Sequence, residues 1–228
     1  MRADVGRVIL VRHGQASFGA ADYDHLSPHG AEQARLAGAA LAARGLHPDV
    51  VLQGRMRRHA QTTHALVEAA DWSTVPVRTC GAWDEIDHLG VMTAFGEDPG
   101  QQDPRAFQAA YERALHRWMA DDPHEPAGTV AESFGAFTAR VTDGLSAAAQ
   151  EAGRGRSVVV VSSAGPLAVA CANLQHPGFP EVDPGAWLRW NAVAVNASLT
   201  TVVVGRQGTR LLAFNEHGHL APGHVTFR

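Results

Sequence analysis

The fold is decided by residues 7–14, which read RVILVRHG. The four consecutive apolar residues in this stretch include β-branched members and are typical of a buried strand. Arg12 and His13 follow directly, at the point where the strand ends. Because ligands of open parallel sheets bind outside the carboxyl ends of the strands, the stretch predicts an anion site built on Arg12 and His13.

Strands and helices alternate through the first part of the chain. Ser27 followed by Pro28 is typical of a helix start, and the apolar stripe after it ends at Gly45. A short apolar strand at residues 48–52 and a helix at about residues 55–70 repeat the pattern. This alternation predicts an α/β fold with a parallel sheet.

The middle of the chain has weaker strand signals and two strong helix signals. Residues 75–77 form a candidate edge strand, where a proline is tolerated. Residues 89–102 are Gly-rich and are predicted to be irregular. Amphipathic helices then begin at Asp103 and near Phe134, separated by a Pro-containing linker at residues 121–129. We expect their apolar faces to pack in the core.

The sheet resumes with residues 157–161, SVVVV, which predict a strand buried on both faces. Residues 162–166 form its exit turn, and residues 167–174 read as a helix. An irregular excursion with three prolines is expected at residues 175–186. Two β-rich runs within residues 193–214 are separated by a Gly-containing hairpin signal.

Bulk composition limits the class of protein. The chain has 228 residues, 45% of them hydrophobic, enough for one large domain with a full core. Its net charge of −4 and its lack of a basic run argue against nucleic acid as a partner. The apolar runs are too short for a membrane span or a secretory leader. Since Cys80 and Cys171 also fit a reducing compartment, we expect a cytoplasmic protein without a membrane partner.

Three loops at sheet ends carry candidate functional residues. The first has Arg12 and His13, the second has an arginine cluster at residues 55–58, and the third is the turn at residues 162–165. Exposed N–H groups at a helix start favour anions, and a guanidinium fork matches phosphate oxygens. Each feature alone also has an ordinary structural explanation: a strand-end histidine, a solvated helix face or a tight turn.

Taken together and in order, these segments resemble the histidine phosphatase superfamily of phosphoglycerate mutase-like proteins. The resemblance covers nearly the whole chain. It rests on residues 12–14 (RHG), 58–62 (RHAQT), 83–88 (WDEIDH), 158–165 (VVVVSSAG), 196–200 (NASLT) and 215–220 (NEHGHL). Arg-His-Gly alone is short and unspecific, whereas the ordered set is a strong signal.

The resemblance implies phosphoryl transfer through a phosphohistidine on His13. A histidine suits this role because its ordinary pKa of about 6.5 leaves much of it neutral and nucleophilic at pH 7. Arg12 and Arg58 would bind the phosphoryl oxygens and offset their charge. Ser163 and Ala164 would contribute to phosphate binding at the turn after the fourth strand.

The resemblance also implies an acidic proton donor in the loop at residues 83–88. Glu85 is the preferred residue, and Asp84 and Asp87 are its neighbours in the same loop. A proton donor of this kind needs a raised pKa, which a partly desolvated pocket beside Trp83 could supply.

One departure from the family pattern bears on activity. The second histidine of the family is replaced by Ser163, with Ala164 where a glycine is usual, and Gly19 stands where an asparagine is often found. Losing one preorganised donor costs about 10²–10³ in rate. The enzyme could be slower, the protein could bind phosphate without turnover, or another histidine could fill the space. The candidates for that histidine are His59, His88, His217 and His219.

We therefore expect a metal-independent phosphatase without a cofactor, acting on a small phosphorylated substrate. The alternative is a weakened or inactive protein that binds phosphate, including inorganic phosphate, in a regulatory role. A mutase is disfavoured because phosphate return needs a closed, water-free pocket, and the insertion between residues 86 and 130 is short. A metallohydrolase on His25 with His29, or on His217 with His219, lacks an acidic cluster, and a serine hydrolase on Ser163 lacks the Gly-x-Ser-x-Gly elbow.

The implied architecture is a three-layer α/β/α sandwich with a mostly parallel central sheet of about six strands. Residues 1–228 would form one phosphoglycerate mutase-like domain. A small helical insertion at approximately residues 86–130 would cap the pocket and select the substrate. Neither the substrate nor the oligomeric state can be read from the sequence.

Overall fold

The computed structural model describes residues 5–17, 24–101, 103–120, 132–153, 155–175 and 182–227. Within these ranges the strands are β1 (Gly6–Arg12), β2 (Val50–Gln53), β3 (Val77–Thr79), β4 (Ser157–Ser162), β5 (Leu199–Gly205) and β6 (Gly208–Glu216). The α-helices are α1 (Pro28–Ala43), α2 (Arg57–Ala69), α3 (His88–Ala94), α4 (Pro104–Ala120), α5 (Phe134–Ala152), α6 (Ala164–Gln175) and α7 (Pro184–Val193). Measured over the same ranges, every helix is too short or too polar to cross a membrane.

The strands form one six-stranded sheet in the order β3-β2-β4-β1-β5-β6. Strands β1 to β4 run parallel, whereas β5 is antiparallel to β1 and β6 is antiparallel to β5. The prediction of an α/β fold with a mostly parallel sheet is therefore confirmed. Arg12, the last residue of β1, pairs with Ser162, the last residue of β4, so the carboxyl ends of these central strands lie side by side.

The central strands are buried on both faces. Ile9 and Val11 of β1 pack in an apolar cluster with Leu41 of α1 and Leu66 of α2. The alternate residues of β1, such as Leu10, are also fully buried, because the opposite face is covered as well. Fully burying a side chain of this size contributes about 1.5–3 kcal/mol, which explains why unbroken apolar runs form these strands.

Several helices and strands begin or end where capping residues and glycines in the sequence predict it. The Ser27 side chain caps α1 by accepting a hydrogen bond from Gly30 N at 3.0 Å. Gly45, just beyond that helix, has a φ of 70°, which glycine adopts without strain. Gly208 has a φ of 100° in the turn between β5 and β6, so the predicted hairpin is confirmed.

The irregular structure predicted at residues 89–102 is wrong over its first part, where α3 forms. The Asp87 side chain caps this helix by accepting a hydrogen bond from Gly90 N at 3.0 Å, and Val91 and Met92 are buried. The predicted edge strand is also shifted, because β3 begins at Val77. Its position at the edge of the sheet is nevertheless as expected.

The excursion predicted at residues 175–186 is wrong at its end, where α7 begins. Asp183 accepts a hydrogen bond from Ala186 N at 2.7 Å, and Pro184 occupies the first turn. The rest of that excursion from residue 176 to residue 181, the linker at residues 121–129 and Gly19 lie outside the described residues.

The chain divides into two compact units, residues 1–85 with 141–228, and residues 86–140. The first unit contains the sheet. In the second unit, the Trp118 ring packs edge-on against Phe134, with ring centroids 5.3 Å apart. Arg113 forms an ion pair with Glu97 at 2.7 Å in the same unit. The role of the insertion as a cap stays a prediction.

Candidate active site

Backbone carbonyls hold the side chains at the carboxyl end of β1. Arg12 is buried, and its guanidinium donates to the carbonyl oxygens of Ala194 and, at 3.0 Å, of Phe227. His13 Nδ1 lies 2.7 Å from the Gly14 carbonyl oxygen. A neutral imidazole that bonds a carbonyl carries its proton on the bonding nitrogen, so Nε2 bears the lone pair.

His13 is held in its neutral form by its surroundings. Burial lowers its pKa well below the ordinary 6.5, and the nearby charges of Arg58 and Arg12 lower it further. The bond to the Gly14 carbonyl opposes this shift only in part. The imidazole is therefore unprotonated at neutral pH, as a nucleophile must be.

The backbone around His13 is fixed from two sides. Asn196 Nδ2 donates to the His13 carbonyl at 3.2 Å, and Gly14 N donates to Thr62 Oγ1 at 3.1 Å. Gly14 passes so close to Gly30 that a Cβ at residue 14 would collide with the Gly30 carbonyl oxygen. The glycine that follows His13 is therefore required by this close approach.

The last described residues of the chain form part of this support. Gln33 of α1 is fully buried, and its Nε2 donates to the His224 carbonyl at 2.7 Å and to Thr226 Oγ1 at 2.8 Å. Thr226 Oγ1 in turn donates to Asn196 Oδ1 at 2.9 Å. The segment at residues 224–227 is thereby bonded both to α1 and to the groups that hold Arg12 and His13.

The arginine cluster at the start of α2 separates into one buried and two exposed side chains. Arg58 is buried, with Nη1 2.8 Å from Asp24 Oδ1 and Nη2 3.5 Å from Ser163 Oγ. Arg57 is exposed, and its backbone N–H donates to Asp24 at 2.9 Å. Arg55 is exposed as well. Of the three, Arg58 is the residue whose guanidinium reaches the ends of the central strands.

The turn between β4 and α6, which contains Ser163, is bonded to the loop that contains Glu85. Ser162 Oγ donates to the Trp83 carbonyl at 2.6 Å, and Gly165 N donates to Glu85 Oε2 at 3.0 Å. Two hydrogen bonds therefore attach the loop at residues 83–85 to this turn. Ala164, the first residue of α6, is buried at the same turn.

His59 is in contact with Ser163. Its Nε2 is 2.7 Å from Ser163 Oγ, and its ring centroid is 5.8 Å from that of His13. Burial and the charge of Arg58 lower the pKa of His59 to about 3, so this imidazole is neutral at physiological pH.

Three carboxylates of the loop at residues 83–88 have different surroundings. Asp84 Oδ1 accepts a hydrogen bond from Arg55 N at 2.6 Å, and Asp87 caps α3. Glu85 instead contacts Gly165 in the turn that carries Ser163. The structure thus places Glu85 beside the predicted phosphate-binding residues.

Among the other histidines proposed to fill the space, His217 and His219 bond backbone carbonyls. His217 Nδ1 lies 2.6 Å from the Asn215 carbonyl oxygen, and His219 Nε2 lies 3.1 Å from that of Ala197. His88 stacks edge-on against Tyr111 in the second unit. Within the described ranges, no three metal-ligating side chains come together.

Three residues that contact the site are not predicted from the sequence. Asp24, Asn196 and Thr62 contact Arg58, His13 and Gly14 respectively. Thr62 and Asn196 belong to segments of the ordered motif set, so a signal existed for them. Asp24 carries no such signal, because its contact with Arg58 arises only from the tertiary fold.

A neutral imidazole with a free lone pair, flanked by buried guanidinium groups at the carboxyl edge of a parallel sheet, is typical of an anion-binding α/β protein. Residues 8–217 match the histidine phosphatase superfamily (branch 1), and the chain belongs to this superfamily.

Curated relatives of the chain include phosphoglycerate mutases. The chain is 28% identical over 111 residues to the 2,3-bisphosphoglycerate-dependent phosphoglycerate mutase of Mycobacterium leprae, covering 42% of this chain and 45% of the relative. It is 36% identical over 92 residues to the same enzyme of Thermobifida fusca, covering 37% and 36%. The match thus spans less than half the length of these relatives.

Solved structures share the fold over nearly the whole chain. A mycobacterial glucosyl-3-phosphoglycerate phosphatase is 24% identical with a TM-score of 0.63, covering 93% of this chain and 100% of that one. The α-ribazole phosphatase of Shigella flexneri is 21% identical with a TM-score of 0.65, covering 92% and 96%. A phosphoserine phosphatase mutant from Entamoeba histolytica is 17% identical with a TM-score of 0.65, covering 94% and 99%. At these identities the similarity establishes the fold.

Proposed function

We propose that this protein is a metal-independent phosphatase that hydrolyses a small phosphomonoester through a phosphohistidine on His13. One observation carries the proposal: His13 is buried and neutral, with Nδ1 bonded to the Gly14 carbonyl. That bond leaves the Nε2 lone pair for attack on phosphorus. Phosphatases among the structural neighbours support a small phosphorylated substrate.

In the first step, His13 Nε2 attacks phosphorus and the bond from phosphorus to the leaving oxygen breaks. Glu85 donates a proton to that oxygen, so an alcohol leaves. In the second step, Glu85 takes a proton from water, and the water oxygen displaces His13 to release inorganic phosphate. The guanidinium groups of Arg12 and Arg58 stabilise the charge on the phosphoryl oxygens in both steps.

Arg58 is paired with Asp24 before any substrate is bound. A phosphoryl group that binds Arg58 therefore competes with this carboxylate for the same guanidinium. Because the Asp24 side chain is about one-third exposed, at 33%, the pair is partly screened by solvent and can be displaced.

The second candidate is a phosphate-binding protein with weak or no turnover. We propose that Ser163 stands where the family has its second histidine, and the neighbouring imidazole of His59 is neutral. Neither group adds a positive charge beside the phosphoryl group. This candidate predicts binding of inorganic phosphate without hydrolysis.

A panel of phosphomonoesters, assayed with wild type and His13→Ala, tests the proposal. Wild type is expected to form acid-labile phosphate on His13, and His13→Ala to lose at least about 10³-fold in kcat/KM. His64→Ala is the matched control, because His64 is an exposed histidine on α2. Full hydrolysis by His13→Ala would contradict the phosphatase mechanism. Phosphate binding without turnover in wild type would favour the second candidate.

A further inference from the structure

We propose that His59 is a positioning residue of the phosphoryl-transfer site. It acts through Ser163, whose hydroxyl it orients as a hydrogen-bond donor to the phosphoryl group. The proposal rests on the proposed function and concerns how the turn after β4 works without a histidine of its own.

The two side chains form a buried pair. His59 is 0% exposed and Ser163 is 1% exposed, and His59 Nε2 lies 2.7 Å from Ser163 Oγ. Arg58 Nη2 approaches the same oxygen at 3.5 Å, which is long for a hydrogen bond. Ser163 Oγ therefore lies between an imidazole and a guanidinium group.

The surroundings of the other ring nitrogen define the tautomer of His59. Its Nδ1 is buried and has no hydrogen-bond partner within the described ranges. It faces the backbone at Gly54, where an added Cβ would collide with it. Orphaned N–H groups are rarer in protein interiors than unsatisfied acceptors, so the proton belongs on Nε2. His59 therefore donates to Ser163 Oγ.

This direction determines what the serine can do. A hydroxyl has one proton and two acceptor positions. Since His59 and Arg58 both approach Ser163 Oγ as donors, the Ser163 proton remains to be donated elsewhere. A donor that is already oriented is worth more in a transition state than one that must reorganise.

The position of the pair fits the reacting group. The imidazole of His59 lies 5.8 Å from that of His13, measured between ring centroids, and Arg58 is its neighbour on α2. Ser163 is thus adjacent to both the nucleophile region and the phosphate-binding guanidinium. His59 supplies orientation rather than charge, because its imidazole stays neutral.

The opposite direction would make Ser163 a nucleophile with His59 as its base. That arrangement would place a buried N–H on Nδ1 without a partner. It would also rely on an imidazole whose pKa of about 3 makes it a poor proton acceptor at neutral pH. Trapping of phosphate on Ser163 rather than on His13 would overturn the proposal.

The first experiment compares His59→Gln, His59→Leu, Ser163→Ala and the double variant His59→Leu with Ser163→Ala. The glutamine amide can place an N–H near the position of Nε2, whereas leucine removes it. His59→Leu and Ser163→Ala are each expected to lower kcat by about 10- to 100-fold, and the double variant by no more than Ser163→Ala alone. His59→Gln is expected to recover most of the activity. Independent, multiplying losses would overturn the proposal, as would Gln and Leu variants of equal activity.

Affinity for orthovanadate provides a readout that does not need turnover. Vanadate resembles the transition state of phosphoryl transfer, so the Ser163 donor should contribute to its binding. His59→Leu and Ser163→Ala are expected to weaken vanadate binding by about 10-fold each, again without adding together. Unchanged vanadate affinity in both variants would overturn the role of His59. Absence of acid-labile phosphate on His13 in wild type would instead contradict the phosphatase mechanism, so the two failures are distinguishable.

A third experiment tests whether an imidazole at residue 163 and the imidazole of His59 compete for the same space. Because His59 Nε2 is only 2.7 Å from Ser163 Oγ, an imidazole introduced at residue 163 has no room beside His59. Ser163→His alone is therefore expected to be less active than wild type. Combining it with His59→Ala makes room and is expected to raise kcat above that of either single variant. A Ser163→His single variant as active as the combination would overturn the proposal. Thermal unfolding of every variant separates loss of the site from loss of the fold.

Discussion

The carboxyl ends of β1 and β4 lie side by side, yet they hold their functional side chains in different ways. At the end of β1, Arg12 and His13 bond the carbonyl oxygens of Ala194, Phe227 and Gly14. The candidate site residue that follows β4 contacts other side chains instead. There Ser163 lies between His59 and Arg58.

Because of this difference, the two strand ends should respond differently to substitution. A backbone carbonyl persists when a neighbouring side chain is changed, so replacing Arg12 or His13 removes only the contacts of that side chain. At the β4 end the partners are themselves side chains, and replacing one leaves another without its contact. The effects of changing Arg12 or His13 should therefore stay local, whereas a change at the β4 end should affect the neighbouring side chains as well.

Among the variants that test this comparison, the largest effect is expected from Arg58→Ala, which disrupts the β4 end. This change removes the charge that we propose binds phosphate and a group beside Ser163, and should lower kcat/KM by about 10²–10³-fold. Arg57→Ala is the control, since Arg57 is the exposed neighbour in the chain. Equal losses in the two variants, measured in the phosphomonoester assay, would contradict the assignment of Arg58.

A pH dependence of stability should involve one histidine from each end. Folding lowers the pKa of both His13 and His59 from an ordinary 6.5, so the unfolded chain binds more protons. The free energy of unfolding should therefore fall as the pH drops below about 6.5, by about 1.4 kcal/mol per pH unit for each histidine. For His59 the loss continues to a pH of about 3.

Denaturant titrations at several pH values measure this slope. His59→Gln removes one of the two titrating groups and should reduce the slope by about 1.4 kcal/mol per pH unit. His64→Gln, on the exposed face of α2, is the matched control variant. An identical slope in wild type and His59→Gln would show that His59 is not held neutral by the fold.

A smaller effect is expected from Asn196→Ala at the β1 end. The change removes the donor to the His13 carbonyl and leaves the Thr226 hydroxyl without its acceptor. Losing buried hydrogen bonds of this kind costs about 1–3 kcal/mol of unfolding free energy. Asn191→Ala on α7 is the comparison variant, because Asn191 is only half-buried. Unfolding free energies within error of wild type would count against the backbone support described for β1.

The smallest effect is expected from Asp24→Asn. An asparagine side chain can still accept from Arg57 N, but it no longer neutralises Arg58. Phosphate should then bind about two- to fivefold more tightly, in line with about 0.5–1 kcal/mol for a partly exposed ion pair. Asp49→Asn, which alters an ion pair with Arg156 at the other end of the sheet, is the control. Weaker phosphate binding in Asp24→Asn would contradict competition for Arg58.

Much of the fold could be predicted because local physics and tertiary packing agree. The apolar run of β1 and the Ser27-Pro28 helix start predict the elements that form. Helix α3 has no clear signal in the sequence because seven residues containing Gly90 are too few to show a helical period. Its Asp87 cap is recognisable only once the helix is known. Helix α7 carries the same cap-then-proline signal as α1, obscured by the earlier prolines of that segment.

The candidate site could be predicted in part for a related reason. His13, Arg58 and Ser163 come from strand ends and helix starts, which a parallel sheet gathers at one edge, whereas Glu85 comes from a loop. From the sequence alone, four histidines are candidates for a position next to Ser163. In the structure, His59 contacts Ser163. Contacts such as that between Asp24 and Arg58 depend on how separate loops meet, which no local pattern encodes.

The bond from Arg12 to the Phe227 carbonyl joins two segments that lie 215 residues apart in the sequence. The same segment at residues 224–227 also bonds Gln33 and Asn196. Proteolytic removal of this segment would therefore weaken the support of Arg12 and His13 without altering either residue.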